Sequence, residues 1–364
     1  MSQPVIQTKA PGKLFIAGEY AVVEPGQLAV VVAVDSYITV TLRPAADYGT
    51  LSSAHHEPPA TWWRQPETNA LNSSEPISRH VRAAIETSER LAVELGRDLD
   101  YYDLATSSEL VTDDGRKLGL GSSAAVSVAV TRALNQYYEL GLDELGIFKL
   151  ALLAGATVNP RASGGDLAAA VFGGWLAYAA PDRDELARQM QTTPLAELLA
   201  ADWPGLSLRH LPPPAGLELA VGWTGRPAAT ERMVGQLRGA WRDSDDYAAF
   251  LSDSQRCVEE LVAGLAAQQP TLVMAAISAC RELLRRLAEQ AAINIETRAL
   301  AQLCSDAEAV GAAAKSSGAG GGDCGIALMP SGVSVAYLQA QWRQHGIRPL
   351  ALKVPQPEGN VDVR

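Results

Sequence analysis

A chain of 364 residues is longer than one hydrophobic core usually serves, so two domains are expected. Its net charge of −11 excludes the basic surface that nucleic acid demands, and no window is long and apolar enough to read as a membrane span. The opening residues lack the basic region and apolar core of a secretion signal. Its four cysteines (Cys257, Cys280, Cys304, Cys324) lack the spacing of a disulfide framework or zinc site, so a reducing cytoplasm is the expected setting.

The first fifty residues predict strands. One extended run lies on either side of a turn at Pro11–Gly12, with Lys13 just past it. A second, Leu28 to Leu42, is rich in β-branched residues and interrupted only at Asp35 and Ser36. Residues 47 to 76, rich in Ser, Pro, Asn and His, read as a long excursion containing a hairpin. His55 and His56 have no spaced acidic or cysteine partners and read as surface residues. Ser78 to Leu95 predicts an amphipathic helix, with Val81, Ala84, Ile85, Ala92 and Leu95 on one face, and Leu99 to Thr106 alternates like a strand.

The stretch KLGLGSSAAVSVAV, Lys117 to Val130, is the most informative in the chain. A turn built on Gly119, Gly121 and Ser122 opens at once into a helix, whose apolar face recurs at Val126, Val130, Ala133, Leu134 and Tyr137. Such a turn aims unpaired backbone N–H groups, backed by the helix dipole, at one point and so suits an anion. Taken alone, the same residues also suit a tight turn packed closely on a sheet. A second apolar helix is expected over Asp143 to Val158. Then Asp166 follows Ser163, Gly164 and Gly165 and precedes a run of small residues. It reads either as a helix N-cap or as a general base beside a hydroxyl substrate. FGGWLAYAA predicts a strand.

Past Pro181, charged helical sequence and Pro-rich connectors mark a boundary near 180 to 215. Leu217 to Trp223 predicts a strand, with Arg226 in the turn beyond it, and helical patterns cover about 228–240, 246–267, 271–290 and 296–314. The segment KSSGAGGGDCGIALM, Lys315 to Met329, packs five glycines between Gly318 and Gly325 before a strand resumes. A loop that tight between regular elements brings its backbone close to something. A last helix is expected over Val333 to His345 and a last strand over Pro349 to Val354. The chain has six lysines against 24 arginines, yet Lys9, Lys13, Lys117 and Lys315 all lie in or beside glycine-bearing loops. A compact ammonium there suits phosphate.

Three of these segments, APGKLFIAGEYAVVEPG (Ala10 to Gly26), GLGSSAA (Gly119 to Ala125) and SGAGGGDCG (Ser317 to Gly325), resemble in order and spacing the three motifs of the GHMP kinase superfamily. That superfamily includes galactokinases, homoserine kinases, mevalonate kinases and phosphomevalonate kinases. GEYAVVEPG, DGRKLGLGSS, SGGDLAAAVFGG and GWTGRPAAT look most like the phosphomevalonate kinase branch.

The resemblance implies an α+β, two-domain GHMP kinase fold. A ribosomal-S5-like domain would occupy residues 1–200 and a ferredoxin-like domain 201–364, the final residues returning to the first. It implies transfer of a phosphoryl group from ATP to phosphomevalonate with Mg2+, in a monomer or homodimer. Lys13, Asp166 and Lys117 would carry the chemistry. ATP would lie on Lys117, Gly119, Leu120, Gly121, Ser122, Ser123 and Ala124. The acceptor would meet Lys13, Glu19, Tyr20, Ser163, Gly164, Ser317, Gly318 and Ala319, with Arg161 and Arg226 as further contacts.

One departure concerns the metal. Mevalonate kinases place a Mg2+-binding glutamate eleven residues before the SGxD aspartate, where this chain has Gly155 and no acid between Lys149 and Asp166. Mg2+ would then rest on the ATP phosphates with help from Ser123. The nearest alternative is a sibling kinase acting on mevalonate or another small alcohol. A more distant one is a nucleotide-binding protein without catalysis.

Overall fold

The computed structural model describes all residues except 1–4, 54–55, 66, 228–232, 234–243, 358, 360 and 364. Its larger sheet is built on β2 (Leu28–Ala45), whose first half is buried on both faces and whose second half alternates between buried and half-exposed residues. Along one edge β2 pairs antiparallel with β1 (Ile6–Ala17), from Ile6 opposite Leu42 to Ala17 opposite Val30. Its other edge is shared by β7 (Trp175–Ala179) at the start and β6 (Tyr101–Ser108) at the end. Beyond β7 lie β8 (Ser207–Leu211) and β13 (Asp362–Val363). Beyond β6 lie β3 (Gly49–Ser53), β4 (His56–Arg64) and β5 (Leu71–Ser73), which completes a nine-stranded sheet. The larger sheet therefore extends past residue 200, and the end of the chain returns to it.

The turn expected at Pro11–Gly12 is absent. β1 runs on through it, and the irregularity sits in the partner, where Asp35 and Ser36 bulge between Val34 and Tyr37. Gly12 serves packing instead: a Cβ there would lie 2.7 Å from Leu110 Cδ2 and 2.9 Å from the Leu120 carbonyl. The 47–76 excursion is a three-stranded extension rather than one hairpin, anchored by the buried Trp62, whose indole donates to the Tyr102 carbonyl at 3.0 Å. Of the two histidines there, His55 lies outside the described residues and His56 is described only through its backbone pairing with Ser53.

Four helices pack on this sheet: α1 (Arg79–Glu94), α2 (Ser122–Tyr137), α3 (Glu144–Val158) and α4 (Gly165–Phe172). Every residue of α2 from Ala124 to Leu134 is buried, and its run of alanines lets neighbours approach from several sides. Leu95, expected on the buried face of α1, is exposed because the helix has already ended. Two short helices, α5 (Arg183–Gln189) and α6 (Leu195–Ala200), lead to β8. The sequence pattern had offered β8 only as part of a proline-rich connector.

The second sheet has four antiparallel strands in the order β10 (Ala313–Ser316), β11 (Cys324–Pro330), β9 (Leu217–Trp223), β12 (Arg348–Leu350). With it go α7 (Asp245–Ala266), α8 (Pro270–Gln290), α9 (Arg298–Ala309) and α10 (Val335–Gln344). The helix expected over 296–314 stops early. Gly311, at φ +81°, reverses the chain, and the residues after it pair with β11. The strand expected over Pro349 to Val354 shrinks to β12. The helix expected over 228–240 lies outside the described residues apart from Met233, which is buried.

The two sheets share one apolar core. Val258, Leu261 and Ile277 of α7 and α8 and Ile326 of β11 are continuous with Leu14, Ile16 and Val32. Each such side chain contributes roughly 1.5–3 kcal/mol when fully buried, so apolar burial holds the junction together. All four cysteines are buried free thiols. Among the described residues, no helix is long and apolar enough to cross a membrane.

Candidate active site

A cleft of about 580 Å³ opens where loops of the two sheets meet, and it is lined by the three glycine-bearing segments together with the loop between α3 and α4. Two helices begin on it. α2 starts at Gly121 (φ +78°) and α4 at Gly164 (φ +82°), and neither N-cap glycine can supply a side-chain cap. Elsewhere Asp143, Asp182, Ser244, Thr297 and Ser334 cap α3, α5, α7, α9 and α10 through their side chains. α1, α6 and α8 also start without a side-chain cap. At the cleft, Ser163 Oγ accepts the Gly165 amide at 3.3 Å in the first turn of α4, whereas α2 opens on the cleft with no side-chain cap, a start suited to an anion.

Glycine at 121 has a second cause. A Cβ there would sit 3.0 Å from Cγ and Cε of Lys13, so any side chain would push the lysine stem away from the loop. The Lys13 amide donates to the Leu120 carbonyl at 2.9 Å, and its ammonium stands 5.4 Å over the Phe15 ring. Phe15 follows Lys13 by two residues on β1, so both point to the same side of the strand. A Cβ on Gly165 would lie 3.0 Å from Cζ of the Phe15 ring. The start of α4, and with it Asp166, is thereby seated against the strand that carries Lys13. Asp166 is not the N-cap. It lies in the first turn of α4, lines the cleft, and its Oδ1 accepts the Leu167 amide at 3.1 Å.

Behind the cleft the first and third segments are tied together. Lys315 is fully buried and donates to the Glu19 carboxylate, itself buried, and to the Ser316 carbonyl at 2.7 Å. The Tyr20 hydroxyl donates to the Ala319 carbonyl, and burial followed by the adjacent Glu19 charge pushes that phenol well up, so it stays a neutral donor. Ser317 Oγ accepts the Phe15 amide and donates to the Phe15 carbonyl, each at 2.9 Å. Remote residues thus close the back wall with paired charges and satisfied hydrogen bonds.

Most of the residues expected at the site do line the cleft: Lys13, Glu19, Tyr20, Lys117, Gly119, Gly121, Ser122, Ser123, Ala124, Ser163, Asp166, Ser317, Gly318 and Ala319. Lys117 is exposed at its mouth. Three expected residues are placed otherwise. Leu120 is buried in the core and contributes its carbonyl to Lys13. Gly164 sits behind the wall, where a Cβ would meet the Tyr178 hydroxyl at 2.8 Å. Arg226 is exposed and does not line the cleft, and its carbonyl accepts the Asp323 amide at 2.7 Å. Arg161 does line it. So do two groups the sequence reading missed, His80 at the start of α1 and Asp323. Asp323 was legible as the one acid inside the third glycine run. Its side chain fills the space where a Cβ on Gly119 would lie, 2.4 Å from Cγ.

Residues 80–174 match the family of GHMP kinases N terminal domains, and residues 262–348 that of GHMP kinases C terminal domains. The chain is 43% identical to a phosphomevalonate kinase of Streptomyces sp. (strain CL190), over 98% of this chain and 99% of that relative. Among solved structures, it resembles the Lin0012 protein of Listeria innocua (TM-score 0.90, 33% identity, 98% and 99% of the two chains). It also resembles the Streptococcus pneumoniae phosphomevalonate kinase in complex with phosphomevalonate and AMPPNP (TM-score 0.83, 29% identity, 96% and 100%).

Proposed function

The chain belongs to the GHMP kinases, and from that premise we propose that it transfers the γ-phosphoryl group of ATP to the phosphate of (R)-5-phosphomevalonate, giving the diphosphate and ADP. The observation that carries this reading is the meeting of Lys13, Asp166 and the uncapped start of α2 on one cleft.

Phosphoryl transfer asks a protein mainly for alignment and charge neutralisation. The amides at Ser122 and Ser123 hold the triphosphate, and Lys117 at the mouth offsets its charge; the Ala124 amide is already taken by the Gly121 carbonyl at 3.1 Å. Lys13 lies between nucleotide and acceptor. Two phosphate charges brought to 4 Å repel by about 4 kcal/mol at an effective dielectric of 20, and an ammonium between them offsets that cost. An acceptor phosphate is already largely ionised near neutral pH, so it needs orientation more than a base. Asp166 and Ser163 supply that orientation.

Mg2+ keeps most of its ligands as water and phosphate oxygens and takes one or two from protein. The cleft offers the Ser123 hydroxyl and the carboxylates of Asp166 and Asp323. Among the described residues, no three His, Cys, Asp or Glu side chains gather as a metal cage. That donor set fits a cation that arrives with the triphosphate, and Ser123 would be its protein ligand. When bound, Mg2+ supplies neutralisation of the β- and γ-phosphate charge. Gly155 lines the cleft with only Leu167 Cδ1 near its missing Cβ, at 3.7 Å, and contributes no donor.

Initial rates of ADP release with phosphomevalonate and with mevalonate test the proposal. Phosphomevalonate is expected to give a kcat/KM at least about a hundredfold higher, because a site built for a phosphate strongly rejects the analogue lacking it. A preference for mevalonate replaces this reading with that of a sibling kinase. ATP binding with turnover of neither acceptor replaces it with that of a non-catalytic protein.

A further inference from the structure

The walls that flank Asp166 are tied to each other from outside the cleft by the side chain of Arg183. Arg183, at the start of α5, donates through Nη1 to the carbonyls of Arg161 at 2.8 Å and Ala162 at 2.5 Å, and through Nη2 to the carbonyl of Val23. Arg161 and Ala162 belong to the α3–α4 loop, and Val23 ends the helical turn Ala21–Val23 that follows Glu19 and Tyr20. All three residues line the cleft, whereas Arg183 does not. The next carbonyl along, that of Ser163, accepts the hydroxyl of the buried Tyr178 at 2.6 Å. Burial keeps that phenol neutral by pushing it well up.

We infer that Arg183 is a positioning residue for the acceptor: it draws carbonyl oxygens of two cleft walls onto a cation behind them, fixing the Ser163–Asp166 loop against the turn after Tyr20. The inference rests on the reading of the acceptor as a phosphate. A carbonyl oxygen carries partial negative charge, so a loop released to turn these oxygens inward would repel a polyanion and shift Asp166. A guanidinium suits the task because its fork serves several acceptors in fixed directions, which a lysine ammonium cannot reproduce. The nucleotide loop is held by different contacts. The Lys13 amide bonds the Leu120 carbonyl, and the Cys324 thiol donates to the Leu118 carbonyl at 3.1 Å. Losing Arg183 therefore acts on the acceptor end.

Steady-state kinetics of Arg183→Ala, Arg183→Lys and Tyr178→Phe, with acceptor and ATP varied separately and Tm measured alongside, test this. Arg183→Ala is expected to raise the acceptor KM by about tenfold or more while the ATP KM stays within about twofold. Arg183→Lys should recover part of the loss, and millimolar methylguanidinium should restore Arg183→Ala. Tyr178→Phe should give a smaller change in the same direction. An unchanged acceptor KM overturns the role, and so does a parallel rise of both KM values that tracks a fall in Tm. If Arg183→Ala does not fold, Arg183→Lys and Tyr178→Phe carry the same split. If wild type turns over mevalonate instead of phosphomevalonate, the acceptor assignment fails. The same split, read with mevalonate, still decides whether Arg183 positions the acceptor.

Discussion

Lys13 and Lys315 stand on opposite sides of the same wall. Both adjoin glycine-bearing segments, and both lie close to Phe15 or its bonded neighbours. Lys13 is half-buried, aligned along Gly121, and its ammonium meets the cleft over an aromatic ring. Lys315 is wholly enclosed and held by a carboxylate and a carbonyl. A cation at the cavity stays available to an incoming anion. One that is already neutralised by Glu19 serves only to fasten the first segment to the third. The difference teaches that two lysines beside similar glycine-bearing segments can be placed oppositely: one facing a cavity, and one whose partner is built in.

The sharpest way to break this contrast is to remove each lysine in turn. Lys13→Met should lower kcat by about a thousandfold, as removal of a group that meets developing charge does, with an unfolding curve close to wild type. Asp166→Asn should also reduce kcat while leaving stability in place. Full activity in both variants would remove the division into chemical and structural lysines.

Lys315→Met should instead act first on stability, by about 3–5 kcal/mol, because it strands the buried Glu19 carboxylate. Urea denaturation reads this. The double variant Glu19→Gln with Lys315→Met should recover much of the loss, since removing both charges leaves neither unpaired. A Lys315→Met protein as stable as wild type would show that the pair is not a fastening.

A smaller effect sharpens the same picture. Ser317→Ala takes the hydroxyl partner from both the amide and the carbonyl of Phe15 and should cost about 1–3 kcal/mol. It should also raise the acceptor KM modestly, because Phe15 seats the start of α4. Unfolding midpoints and kinetics measured on one preparation separate the two consequences.

Much of this site was legible. Gly121 before Ser122 announced the start of α2, and the apolar run after Asp143 announced α3, though not that the Asp143 side chain caps it. The strand expected over Leu217 to Trp223 matches β9 to the residue. These features are local, written within one turn or a few residues. Asp166 was ambiguous because an N-cap and a cleft carboxylate occupy the same few positions at a helix start, and only the folded start of α4 at Gly164 separates them. β8 was hidden because a short strand beside prolines has too few residues to show a period. Arg183 gave no signal, since a charged residue opening a short helix ordinarily faces water.

By itself the sequence determined the three glycine-bearing segments, their order, the periodicity of the strands and helices around them, and the scarcity of lysine that drew attention to four positions. Only the tertiary structure decided which lysine meets the cavity and which meets Glu19, 296 residues away. Backbone propensity and apolar spacing act between near neighbours, whereas the environment of a charge depends on whatever the folded chain sets opposite it.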